Sequence, residues 1–216
     1  MPLTSTEDGL VTSIVGGPAG DNDARRALKK WGQQPPDDTC GSIPGGITTI
    51  SAEEFGNAID HITKLTLTNF AVGTISDNAA LAFGALFYTF PSGTILVPEI
   101  TLVGGFTGAV SVTAQTPEVG IGSVVGSGAS ATLSSTMEDY MDGGATGGIG
   151  GDSTAPDVAG GAMYKSSAIT NPVVVKTTGG KARTLYLNVA ATWADVTAAG
   201  AMTFTGVITI RWRKIS

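Results

Sequence analysis

The stretch AMTFTGVITIRWRK, residues 201–214, decides the fold. Met202, Phe204, Ile208, Ile210 and Trp212 share one side of a two-residue period, with Gly206 among them. Thr203, Thr205, Val207, Thr209, Arg211 and Arg213 share the other. Such alternation is the pattern of a strand half-buried in an antiparallel sheet. Upstream, residues 184–190 alternate in the same way, with Leu185, Leu187 and Val189 on one face. In residues 59–70, Leu65 and Leu67 oppose Thr66 and Thr68. ALAFGALFYTF, residues 80–90, is a nearly continuous apolar run and reads as a fully buried strand. Pro91-Ser92-Gly93 then turns the chain, and residues 94–97, 100–103 and 109–113 continue as short strands separated by glycines. Short strands spaced by turn residues make a sandwich or barrel. The pattern predicts an all-β protein, an antiparallel β-sandwich of jelly-roll type with one or two short helices. Trp212 belongs to its core face, and Trp193, just after a strand, closes one end.

One helix is predicted in LSSTMEDYMD, residues 133–142, where Ser135 and Glu138 have capping-box spacing and Gly143 ends the run. Residues 143–161 follow with eight glycines and Pro156, which reads as an exposed excursion. Residues 1–46 differ in texture, punctuated by Gly16-Gly17-Pro18, Pro35-Pro36 and Gly45-Gly46. They are assigned as an extended N-terminal arm and residues 47–216 as the sandwich domain. Inside the arm, residues 23–31 form a short cationic helix, with Asp21 or Asp23 at its start and Gly32 past its end. Arg25, Arg26, Leu28, Lys29, Lys30 and Trp31 are the candidate interface residues, for a neighbouring subunit or a shell beneath.

Composition bounds the function. The chain has 216 residues, 31 of them glycine, with 42% hydrophobic and 14% charged residues. It is too apolar to be disordered throughout, and no apolar run is long enough to span a bilayer. The net charge of −6 speaks against a nucleic-acid partner. That charge is uneven: residues 1–60 carry nine acids and four bases, 61–160 eight acids and one base, and 161–216 one acid and seven bases. An acidic middle and a basic end can pair within the fold or meet on neighbouring subunits. Cys40 is the one cysteine, so an intrachain disulfide is excluded. The N-terminal residues lack the basic and apolar regions of a signal peptide.

Catalytic constellations do not emerge. His61 is the one histidine, and Gly126-Ser127-Gly128 lacks the strand–turn–helix context of a nucleophile elbow. One Cys and one His cannot build a structural zinc site. Asp139, Asp142 and Asp152 flank the glycine-rich segment but match no calcium-loop spacing. Gly143 to Gly150 is not followed by the Lys-Ser/Thr of a phosphate-binding loop. The reading is non-enzymatic, with no catalytic residue, metal or cofactor.

LAFGALFYTFPSGTILV (81–97), LSSTMEDYMD (133–142) and TFTGVITIRW (203–212) resemble uncharacterised virion structural proteins of tailed bacteriophages, marine ones in particular. The resemblance covers roughly residues 60–216 and leaves the arm outside it. It implies a capsid decoration or cement protein that binds the major capsid protein and stabilises the phage head. The expected partners are the major capsid protein and the chain itself, as a homotrimer, with neither nucleic acid nor membrane. The expected location is the virion surface, after assembly in the host cytoplasm. The alternatives are a tail-tube or major tail protein, and a host-surface or glycan-binding virion module.

Overall fold

The computed structural model describes residues 41–56, 59–75, 81–108, 117–142, 163–175, 182–193 and 199–215, with backbone alone over 163–172. The predicted arm helix at 23–31, the short strand at 109–113 and the excursion at 143–161 lie outside these residues. Eight strands are described: β1 (Ile50–Gly56), β2 (Asp60–Ile75), β3 (Ala82–Thr89), β4 (Ile95–Gly108), β5 (Glu118–Gly122), β6 (Met163–Val175), β7 (Thr184–Ala190) and β8 (Gly200–Lys214). They form two sheets, ordered β1-β2-β8-β4-β6 and β3-β7-β5, and every pairing is antiparallel. The pairs nest: β2 with β8, β3 with β7, β4 with β6, and innermost a bridge from Ile121 of β5 to Met141. At the opposite edge of the small sheet Ser42 pairs with Thr89, so residues assigned to the arm by composition line that edge.

Each strand exists because its pattern fits a two-sided surface. β8 alternates without interruption, with Met202, Phe204, Ile208, Ile210 and Trp212 buried. β2 begins with His61, Thr63, Leu65 and Leu67 inward, then changes phase to Phe70 and Val72. A bulge between Leu67 and Phe70 makes the change, with Asn69 at φ +52°. Asparagine tolerates this left-handed conformation better than most residues, and the extra residue moves the next apolar side chain back to the core side.

The separate pieces expected at 94–97 and 100–103 are one strand, β4. A bulge between Val97 and Glu99 carries it past the exposed Pro98, where a missing N–H breaks no essential ladder bond. Gly104 and Gly206 pair across β4 and β8, with the Phe204 ring so close that a Cβ on either glycine would strike it. These glycines are strand residues and make room for the ring. The apolar run at 80–90 becomes β3, with Gly84 to Leu86 half-buried and Phe87, Tyr88 and Phe90 fully buried.

One buried cluster joins side chains of both sheets. Phe90 meets Trp212 edge-on at 5.8 Å, and buried Trp193 stacks on Phe83 at 5.6 Å. Each such aromatic contributes about 1.5–3 kcal/mol by leaving water. The helix expected at 133–142 is a single 3₁₀ turn, Ser135–Met137, entered through Ser134 without a side-chain cap. It is held from outside instead. Ser123 donates its backbone N–H and its hydroxyl to the two Asp139 oxygens, at 2.8 and 2.9 Å. Buried Asn188 of β7 accepts from Gly126 N–H at 2.8 Å and donates to the Val124 and Met137 carbonyls at 3.0 and 2.6 Å. Tertiary bonds thus fix a segment too short to stand as a helix. Among the described residues no helix is long and apolar enough to cross a membrane.

Candidate functional site

Two features meet at one end of the large sheet, one inside the sandwich and one on its outer face. The inner feature starts from Glu54. Adjacent strand residues face opposite sides, so in the Glu53-Glu54 pair of β1 one carboxylate must turn inward. Glu53 turns outward and pairs with Lys64 at 2.8 Å. Glu54 turns inward, where the Thr63 hydroxyl donates to its carboxylate at 2.8 Å and the Tyr88 hydroxyl at 3.0 Å. The Trp212 indole N–H donates to Thr63 Oγ1 at 2.8 Å, and the Gly41 N–H to Tyr88 Oη at 3.1 Å. Every proton in this network points toward one carboxylate, which ties β1, β2, β3 and β8 to the root of the arm. A Cβ at position 41 would collide with the Tyr88 phenol, so only glycine fits.

Burial raises the Glu54 carboxyl above its ordinary range, against the opposing pull of the Thr63 and Tyr88 hydrogen bonds. Burial also raises the Tyr88 phenol well above its usual value, and the nearby Glu54 charge adds to it. Tyr88 therefore stays a neutral donor at physiological pH.

The outer feature is a groove of about 460 Å³ beside β8, lined by Asp60, Ile62, Leu96, Pro98, Arg211 and Arg213, with the strand positions His61 and Trp212 between them. Arg211 and Arg213 share the outer face because they are two apart in β8. The strand register places Asp60 opposite Arg213 and Glu99 opposite Arg211. Arg213 Nε meets Asp60 at 2.6 Å and Arg211 Nε meets Glu99 at 3.4 Å. Both arginines remain more than half exposed, so each pair contributes no more than about 1 kcal/mol. Ile59, Ile62 and Ile215 are exposed at the same end. An apolar floor rimmed by charges of both signs suits recognition of a surface.

His61 is buried, its ring stacked on Trp212 at 3.7 Å and 11° between planes. Among the described residues no three of His, Cys, Asp and Glu gather as a metal site would require. Asp139 is engaged by Ser123, and Cys40 and Asp152 lie outside the described residues. The candidate interface residues Arg25, Arg26, Leu28, Lys29, Lys30 and Trp31 also lie outside them. The network of Glu54, Thr63 and Tyr88 was not singled out from sequence, although paired glutamates entering a strand were a usable signal. Comparison with protein-family models, with curated proteins and with solved structures finds no match for this chain.

Proposed function

We propose that this chain is a non-enzymatic structural protein of a tailed-bacteriophage virion, a decoration protein that binds the major capsid protein and stabilises the head. The observation that carries this reading is the nested strand pairing, β2 with β8, β3 with β7 and β4 with β6, around the Ile121–Met141 bridge. Nested pairing on two antiparallel sheets supports a jelly-roll wrap, a fold common in viral capsid domains. The arm supports the same role. Its root is held against the sandwich edge by the Tyr88 hydroxyl and the Ser42–Thr89 pairing, so a pull on the arm is delivered to the core. The arm carries Arg25, Arg26, Lys29 and Lys30 on a chain of net charge −6, a cationic patch for an acidic shell surface. Contacts repeated around a homotrimer and across a lattice sum to tight retention even when each is weak.

The jelly-roll wrap also serves lectins, and the groove beside β8 favours a glycan-binding virion module as the second reading. Co-sedimentation distinguishes the two. Purified chain is mixed with phage heads lacking decoration, with tail tubes, and with immobilised host-surface glycans. Saturable binding to heads alone supports the proposal. Binding only to glycan or to tail tubes overturns it.

A further inference from the structure

β1 is the last strand of its sheet, and its outward edge has no strand partner among the described residues. The register shows which main-chain groups face that edge. Thr68 N–H donates to the Thr49 carbonyl at 2.8 Å, so this position is of the hydrogen-bonded type. Types alternate in antiparallel pairs. Ser51, Glu53 and Phe55 therefore bond to Thr66, Lys64 and Ile62, while Ala52 and Glu54 aim N–H and C=O away from β2. Ala52 also shares the inner face with buried Ile50 and with Glu54, yet it is exposed. An open ladder edge beside an uncovered inner-face position is a place for one more strand.

The root of the arm pairs with β3, close to the inner face of β1. Gly41 lies two successive hydrogen bonds from Glu54, through Tyr88, at 3.1 and 3.0 Å. Within residues 1–40 the longest run free of glycine, proline and charge is Leu10-Val-Thr-Ser-Ile-Val15, bounded by Gly9 and Gly16. It is rich in β-branched residues, the composition of a strand.

We propose that Leu10–Val15 of the chain's own arm adds to the free edge of β1 as a sixth strand of the large sheet. The occupant follows from tethering. The 25 residues between Val15 and Gly41 have a coil dimension of about 25–30 Å, enough to return to an edge that lies beside the root. Such a tether gives an effective concentration of order millimolar, far above that of a second copy in micromolar solution. The addition closes residues 16–40 into a loop fixed at both ends. It does not depend on the capsid reading.

Amide exchange of the full chain tests it with two variants. Ala52→Pro removes an edge-facing N–H that β2 does not use, and Thr12→Pro blocks the incoming strand. The expected result is at least tenfold protection of amides 10–15 in the parent chain, lost in both variants, with β8 amides unchanged as the folding control. Should Ala52→Pro disturb β8, Thr12→Pro carries the test alone. Mixing the two variants pairs an intact arm with an open edge on different chains, and the proposal expects no recovery of protection. Recovery on mixing would assign the edge to a second copy and overturn it. Unprotected amides 10–15 in the parent chain would also overturn it.

Discussion

Trp212 donates its indole N–H to Thr63 Oγ1 at 2.8 Å, across the β2–β8 pair and beneath the stacked ring of His61. Thr63 is fully buried, and its own proton goes to Glu54. The hydroxyl therefore serves two partners at once, one buried and one half-buried. Thr63→Val keeps the shape and removes the oxygen. It should lower unfolding stability by about 1–3 kcal/mol, because the buried indole N–H and the half-buried carboxylate each lose a partner. Thr63→Ser should cost less than about half as much. Urea unfolding followed by tryptophan fluorescence reads both, and equal loss in the two variants would show that packing, not the hydroxyl, matters.

Glu54 should make stability depend on pH in a defined direction. Burial raises its folded value above the unfolded 4.5, so the native state holds the proton more tightly than the unfolded chain. Its favourable contribution is full below pH 4.5 and is lost as pH rises through the folded value. Glu54→Gln has no titrating group there. The stability of the parent chain minus that of Glu54→Gln should therefore fall as pH rises from about 4.5 through the raised folded value, then level off. A difference that rises over this range would contradict the assignment.

Gly41→Ala puts a methyl group into the Tyr88 phenol. The expected cost is about 1–3 kcal/mol of local strain, relieved by detaching the arm root. The amides of Ser42 and Thr89, which bond each other's carbonyls at 2.8 and 2.9 Å, should exchange faster while β8 stays protected. Unchanged exchange at both would mean that the root is not held there.

Asn188 is fully buried and holds three backbone groups from two segments. Asn188→Ala should cost about 2–4 kcal/mol, since three buried groups lose a partner at once. Proteolysis between residues 123 and 142 should speed up, and a protease-resistant segment there would count against the role given to Asn188.

β8 was legible in the sequence because nothing interrupts its alternation from Met202 to Trp212, and the same held for β7. β4 was legible only in pieces. Gly104-Gly105 read as turn punctuation, whereas the strand runs through them with the Phe204 ring packed on Gly104, and a bulge carries it past Pro98. In β2 the period changes at Asn69, and a conformation available to asparagine at a bulge leaves no periodic trace. The capping-box spacing at Ser135 and Glu138 pointed to a helix, but the segment is sewn down by Asp139 and Asn188 instead. Asn188 sits between Leu187 and Val189, so its polarity in an apolar run was visible, but its partners, more than fifty positions away, were not. Glu54 was hidden for the same reason: its neighbours come from β2 and β3 and meet it only through the fold.

The central claim is that this chain acts by adhesion within a larger assembly. The most direct measurement is an electron-microscopy reconstruction of the particle that carries it. The account predicts added density for this chain on the outer surface of the head, three copies around each three-fold or quasi-three-fold position, with the arm running into the shell. A chain recovered as a freely diffusing monomer, with no density on any particle, would contradict it.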